Sequence, residues 1–339
     1  MFGQKSTRQI DLHLPTGWNR CTTEELEAIA AAIIQEQQRV DRYHPFDWSR
    51  VKLNVVLAVN SIEVVSQPVP VVKDYSHDDT YLVRRTKQEK PWPITVGQLV
   101  ALTEWLAWID DEKASKVIFK FPYPELELVQ GSWFFAEQSG RAERRVQGSK
   151  RKAQGSKPLT INREPLTVLG PPPLLDGYTW QEYRWMTDWM QAYMRHSNAK
   201  NAEGAAQAQR EFLAVLFKKK DDNKDNKDNC EPLTINPESF TSFDAVKWQV
   251  ILFWWSSLMS MLAKKFPKVF KQQPVGKGKR RQQQDTPWDF YNRVTATIQK
   301  YIGGLSEQDV NNATYGTILQ QLEMMADEAA EMEKLKRKK

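Results

Sequence analysis

Alternating apolar and polar positions near the start of the chain are typical of a short β-strand. Residues 9–14 place three apolar side chains on one face, and a Pro-Thr-Gly turn follows. Residues 51–72 are rich in Val and Ile and contain two prolines, which favours strands at the edge of a sheet. A helix over residues 48–59 is the alternative. We therefore predict a small β component in the N-terminal part of the chain.

Most of the remaining chain shows the three-to-four-residue spacing of amphipathic helices. Thr22 and Glu25 fit a capping box before one apolar stripe, and Thr95 and Gln98 fit another before the next. Further helices are predicted from Thr179, over a segment that ends at residues 212–217, over residues 243–270, and from Thr286, Ser306 and Thr314. The predicted fold class is mainly α (α+β), with a helical bundle-like core and a small N-terminal β component.

Polar stretches suggest how the chain is divided into domains. Residues 141–157 contain seven basic residues, one acidic residue and no apolar periodicity, so we predict a mobile basic linker there. It would separate an N-terminal α+β domain, residues 1–140, from a mainly helical C-terminal domain, residues 158–339. Within the second domain, residues 218–229 are predicted to be a disordered loop and residues 271–284 a basic loop.

Composition narrows the class of protein. The chain has 339 residues, of which 40% are hydrophobic, and a net charge of +6, so it can form a core and is not disordered throughout. Its longest near-continuous apolar run, residues 250–263, contains three serines and is shorter than the roughly 18 residues that span a membrane. Because Cys21 and Cys230 are the only cysteines and no secretory signal is evident, we expect a cytoplasmic protein.

Motifs for catalysis, nucleotide binding or metal binding are not found in the sequence. It contains neither a phosphate-binding loop nor a G-x-S-x-G elbow, and its four histidines are scattered. Residues 74–79 (DYSHDD) could hold a divalent ion, although a solvated acidic loop explains them equally well. Cys21 lies at a predicted helix start, where the dipole can lower a thiol pKa, but an incidental small residue is the simpler interpretation. We therefore predict a non-enzymatic protein without a cofactor or metal.

Basic clusters leave nucleic-acid binding as an alternative. They lie in residues 141–157, 271–281 and 334–339, where they could neutralise phosphates. The aromatic residues fall within helical stripes and not between these basic residues, which favours a role in the core. The candidate contacts with nucleic acid or with an acidic partner are Arg144, Arg145, Lys150, Arg151, Lys152, Lys279, Arg280 and Arg281.

Several motifs are spread along the chain: LHLPTGW at residues 12–18, DGYTWQEYRWMTDWMQAY at residues 176–193, FLAVLF at residues 212–217, and the Trp-rich helix that follows. Together they resemble a poorly characterised protein family that is encoded in prophages and related mobile elements of Bacteroidetes. The last predicted helix, TYGTILQQLEMMADEAAEMEKLK at residues 314–336, is similar to the C-termini of tail-assembly chaperones. Because genes of this family sit among tail-morphogenesis genes, the resemblance implies a role in that setting.

This resemblance implies a non-enzymatic binding protein of tail or virion assembly, located in the bacterial host cytoplasm or in the virion. Its partner would be another tail protein, such as the tape measure, whose apolar stripes an amphipathic helix could cover. The alternatives are a nucleic-acid-binding protein of a mobile element and a structural component of the mature particle; the oligomeric state is left open. The predicted partner-binding residues are Ile318, Leu322, Met325, Ala329 and Met332, although the same helix could instead pack on its own fold.

Overall fold

The computed structural model describes residues 12–65, 80–85, 90–111, 117, 119–128, 166–219, 235–270 and 287–337. The α-helices in these residues are α1 (Thr23–Arg39), α2 (Trp48–Val59), α3 (Val96–Glu104), α4 (Trp180–Asn198), α5 (Ala202–Leu216), α6 (Ala245–Lys265), α7 (Pro287–Ile302), α8 (Glu307–Asn312) and α9 (Tyr315–Arg337). The strands are β1 (Glu63–Val64), β2 (Thr80–Arg84), β3 (Trp92–Thr95), β4 (Glu125–Leu128), β5 (Leu166–Leu169) and β6 (Lys218–Lys219). The fold is predominantly α with two small three-stranded antiparallel sheets, which confirms the predicted mainly α (α+β) class.

Reciprocal hydrogen bonds at the helix starts confirm the predicted capping boxes. The Thr22 hydroxyl accepts from the Glu25 N–H at 3.2 Å, and the Glu25 carboxylate accepts from the Thr22 N–H at 2.7 Å. These bonds satisfy donors that have no partner within the first turn. The same pairing begins α3, α4 and α8, through Thr95 with Gln98, Thr179 with Glu182, and Ser306 with Asp309.

Residues 48–59 form helix α2, so the strand prediction for residues 51–59 is wrong and the alternative helix is confirmed. Asp47 caps this helix by accepting a hydrogen bond from the Ser49 N–H at 2.9 Å. Val51, Val55 and Val56 are buried, and α2 packs against α1. The valines therefore follow a helical spacing, and burial of that face outweighs their preference for strands.

Residues 12–14 lie outside any strand in the described part of the chain, in contrast to the predicted first strand. The Asn60 side chain accepts a hydrogen bond from the His13 N–H at 2.7 Å and donates one to the His13 carbonyl oxygen at 2.8 Å. A single amide thus satisfies backbone groups that a neighbouring strand would otherwise pair with. The other residues of the predicted strand, 9–11, are not among the described residues.

One compact unit consists of Met1–Pro124, Pro171–Asp188 and Phe243–Lys339, and it contains the long helix α6. Within it, α6 packs against α1, and eight of its side chains are buried. The Trp254 ring packs edge-on against Phe121 with ring centroids 4.8 Å apart, and Phe253 contacts Trp18 at 5.2 Å. The helix predicted over residues 243–270 is therefore confirmed over residues 245–265, where it contributes to the core.

A second compact unit consists of Glu125–Gly170 and Trp189–Ser242. Its sheet has β5 in the middle, with Val168 buried and paired with Leu126 on one side and Lys219 on the other. Residues 218 and 219, which were predicted to begin a disordered loop, are therefore a short strand. Residues 220–229 lie outside the described residues.

These two units differ from the two consecutive domains suggested by the sequence. Each unit is assembled from segments that are distant along the chain, and helix α4 contributes its first residues to one and its last to the other. The predicted linker at residues 141–157 and the predicted basic loop at residues 271–284 are outside the described residues, so both stay predictions.

Candidate partner-binding helix

The first turns of α9 belong to the core of their unit. The Tyr315 N–H donates a hydrogen bond to the Tyr178 carbonyl oxygen at 3.0 Å, and the Tyr315 ring stacks on Tyr183 with centroids 5.0 Å apart. The Tyr315 hydroxyl donates to the Leu174 carbonyl oxygen, and burial raises the pKa of Tyr315 to about 12. Ile318 is buried one turn further along. These contacts fix the start of the helix.

Side-chain hydrogen bonds hold the middle of α9. The Glu323 carboxylate accepts from the Lys268 N–H at 3.1 Å and from the Val269 N–H at 3.2 Å, which joins α9 to the turn after α6. The Lys268 ammonium forms an ion pair with Asp327. The Tyr301 hydroxyl on α7 donates to Glu328, and this bond raises the pKa of Tyr301. The attachments named here therefore reach as far as Glu328.

The remaining part of α9, residues 329–337, is called the distal segment below. Its nine residues span about 14 Å at 1.5 Å per residue. Every side chain that the structure describes between positions 329 and 336 is exposed to solvent. Met332 is 57% exposed and Leu335 is 59% exposed, and they lie three residues apart, on one face of the helix. The distal segment therefore presents an apolar face that the described part of the chain does not bury.

The predicted contact residues separate into covered and accessible groups. Ile318 is buried among core side chains, so it belongs to the core and not to an exposed contact surface. Leu322 and Met325 are half-buried, whereas Ala329 and Met332 are exposed. Leu335 was not among the predicted contacts, although its spacing from Met332 was visible in the sequence. The accessible candidates are therefore Ala329, Met332 and Leu335.

Charges are segregated along the last part of α9. Residues 323–333 contain five carboxylates and no base, and residues 334–339 contain five basic residues and no acid. Positive charge near a helix C-terminus is favourable because it complements the helix macrodipole. An apolar face flanked by an acidic block and a basic block is suited to a partner that carries charge of both signs.

The candidate nucleic-acid contacts cannot be placed. All of Arg144, Arg145, Lys150, Arg151, Lys152, Lys279, Arg280 and Arg281 lie outside the described residues. The expected core role of aromatic residues is confirmed for Trp18, Trp180, Trp248, Trp254 and Trp255, which are buried, whereas Tyr43 and Trp105 are exposed. Nucleic-acid binding through the basic clusters stays a prediction.

The structure describes the surroundings of the Cys21 thiol, one of the reactive groups considered above. Cys21 donates a hydrogen bond to the Gly17 carbonyl oxygen at 3.3 Å, and burial, with Glu25 nearby, raises the pKa of its thiol to about 12. A thiol activated by the helix dipole would have shown the opposite shift. Residues 74–79 are outside the described part of the chain.

A cavity of about 300 Å³ lies between the end of α6, the start of α9 and the turn at residues 173–177. Its charged lining residues are Asp176 and Lys265, and its walls include Leu174, Leu262 and Phe266. Asp176 is the single carboxylate among these lining residues. Elsewhere in the described residues, no group of three or more His, Cys, Asp or Glu side chains is placed to hold a metal ion. None of the described helices is long and apolar enough to cross a bilayer.

Comparison with known proteins assigns neither a family nor a function to the chain. The chain matches no protein-family model, no curated protein and no solved structure. The distal segment of α9 and the sequence motifs quoted above are therefore the features that bear on function.

Proposed function

We propose that this chain is a non-enzymatic binding protein that contacts another protein through the distal segment of α9. The observation that carries the proposal is the exposure of Met332 and Leu335 on one face of a helix whose preceding turns are firmly attached. Large apolar side chains grouped on an exposed face often mark contact sites. A flexible methionine adapts to partners of different shape.

An amphipathic helix of the partner would fit this surface. Met325, Ala329 and Met332 are spaced by four and three residues, so they lie on one side of α9 and can pack into the groove of another amphipathic helix. The flanking charges would set the orientation and speed of association more than its strength. The half-buried Met325 marks the inner limit of this contact.

In the setting that the sequence motifs suggest, the partner is a phage tail or virion protein, such as the tape measure. A long apolar helical chain exposes stripes that aggregate unless they are covered before the tail tube forms around it. The chain would then act as an assembly chaperone in the bacterial host cytoplasm. This specific role is supported by the resemblance, and the general role as a binding protein is supported by the exposed face of α9.

Affinity purification from cells that produce the particle tests this proposal. The double variant M332D/L335D places charges on the apolar face, and the matched control M194D changes a methionine that is 52% exposed on α4. We expect one virion protein to co-purify with the natural chain and with the control, and its recovery to fall at least tenfold with the double variant.

Equal recovery with all three chains would contradict the proposal. Recovery of nucleic acid alone, lost on neutralising residues 141–157 and 271–281, would favour the nucleic-acid-binding alternative. A fixed copy number in finished particles would identify a structural component, whereas an assembly chaperone is absent from them.

A further inference from the structure

We infer that, in the isolated protein, the distal segment of α9 pairs with the same segment of a second copy, in antiparallel orientation. The inference uses the same surface as the proposed function but needs no foreign partner, because the purified chain is sufficient. It is based on two features of the segment. Its apolar face is uncovered, and its acidic end is complementary in charge to the basic end of a second copy.

The charge pattern selects the antiparallel orientation. Within the distal segment, Glu331 and Glu333 are followed by Lys334 and Lys336. When two such helices run in opposite directions, the acidic end of each segment lies beside the basic end of the other, whereas parallel helices would place like charges together. A two-fold axis repeats every favourable contact, as in other symmetric dimers.

The apolar residues fit the same arrangement. When Met332 of one copy is opposite Leu335 of the other, the symmetry places Leu335 opposite Met332 as well, so both exposed side chains are covered. In this register Glu331 lies on the same flank of the paired helices as Lys334 of the other copy, within one helical turn along the axis. The macrodipole alone explains a basic helix end, but it does not explain why Met332 and Leu335 are exposed beside that end.

The size of the segment limits the strength of pairing. Two helices of about nine residues bury far less than the roughly 1,200 Å² typical of stable complexes. We therefore expect reversible pairing, with a dissociation constant between about 1 µM and 1 mM. A longer helix of another protein would displace the second copy, so pairing would keep the apolar face covered until that protein binds.

Sedimentation velocity of the purified full-length chain tests the inference. The acid-reversed variant E331K/E333K makes positions 331, 333, 334 and 336 all basic, and the base-reversed variant K334E/K336E makes the same four positions all acidic. We expect the average mass of the natural chain to rise with concentration and that of each variant to stay monomeric. Mixing the two variants should restore association, because each then supplies the charge that the other lost. High salt should weaken pairing of the natural chain.

The variant E104K/E203K is the matched control for the acid-reversed variant, because it makes the same change in charge at exposed positions outside α9. It should associate as the natural chain does, and circular dichroism should show equal helix content in all variants. A natural chain that is monomeric at every concentration, or a mixture of variants that fails to associate, would overturn the inference. Either result would leave capture of a virion protein in cells unaffected, so the failure of pairing is distinguishable from the failure of the proposed function.

Discussion

Asn60 is a buried polar residue at the C-terminal end of α2, and its side chain holds the segment before α1. Its Nδ2 group also donates a hydrogen bond to the Val56 carbonyl oxygen at 2.9 Å, in addition to the two bonds with the His13 backbone. Because the amide is buried, its partners would have little access to water if it were removed. One residue therefore determines how residues 12–14 are attached.

We expect Asn60→Ala to lower the free energy of unfolding by about 1–3 kcal/mol, the usual cost of leaving buried polar groups unpaired. Asn54→Ala is the control, because the Asn54 amide donates only a solvent-exposed hydrogen bond, to the Gln35 side chain at 3.2 Å. That change should cost less than about 0.5 kcal/mol. Urea unfolding followed by tryptophan fluorescence measures both values, and equal effects would show that Asn60 does not anchor this segment.

Cys21 should be an unreactive thiol in the folded chain. Its pKa is raised from 9.0 to about 12, chiefly by burial, so the thiolate fraction at pH 8 is roughly a thousandfold lower than in the unfolded chain. We expect iodoacetamide to modify Cys21 slowly at pH 8 and about tenfold faster for each unit of rising pH. Mass spectrometry of the Cys21 peptide, with the urea-unfolded chain as control, measures this. Equal rates in both states would contradict the assignment.

At the scale of elements, helix starts were predictable and strand pairing was not. A capping box joins residues three apart, so Thr22 with Glu25 and Thr95 with Gln98 were visible in the sequence. The β6 strand depends on β5, which lies about 50 residues earlier in the chain. The valines of α2 were ambiguous because the strand preference of β-branched residues opposed their helical spacing.

The extent of the candidate contact surface was equally hard to predict. The apolar stripe runs without a break from Ile318 to Met332, so the sequence identifies the helix but not the point at which burial ends. That point is set by Glu323 and Glu328, whose partners lie near residue 268 and on α7. Contacts between segments so distant along the chain leave no periodic pattern in the sequence.

We expect Glu323→Ala to loosen the attachment of α9 to the turn after α6. The substitution removes the acceptor of the Lys268 and Val269 N–H groups, so hydrogen exchange at these two amides should accelerate at least tenfold. Glu331→Ala is the matched control, since Glu331 is exposed in the distal segment. Unchanged exchange at positions 268 and 269 would show that Glu323 does not hold this turn.

At the scale of the whole molecule, the core role of the tryptophans was predictable from the sequence, whereas the grouping of chain segments into units was not. The chain has 13 tryptophans, and their helical spacing predicted a core role that several of them fulfil. The grouping of segments 1–124, 171–188 and 243–339 into one unit was not predictable, because it arises from packing between segments distant along the chain and not from any local change in composition.

We expect Trp254→Ala to lower the free energy of unfolding by about 3–5 kcal/mol, the usual cost of removing a large buried aromatic side chain. Trp254 is 2% exposed and packs against Phe121, so its loss would leave a cavity beside α6. Trp105→Ala should cost less than about 0.5 kcal/mol, because that side chain is 75% exposed. Urea titration monitored by circular dichroism compares the two, and a similar loss in both would argue against a core role for α6.

Photocrosslinking from position 332 tests directly whether the distal segment of α9 contacts another polypeptide. A photoreactive amino acid in place of Met332 should form adducts with a second copy in the purified chain and with a single virion protein in producing cells. The same replacement at Met194, a methionine of similar exposure, should give neither product. Adducts confined to the same chain, or equal yields from both positions, would contradict a binding role for this segment.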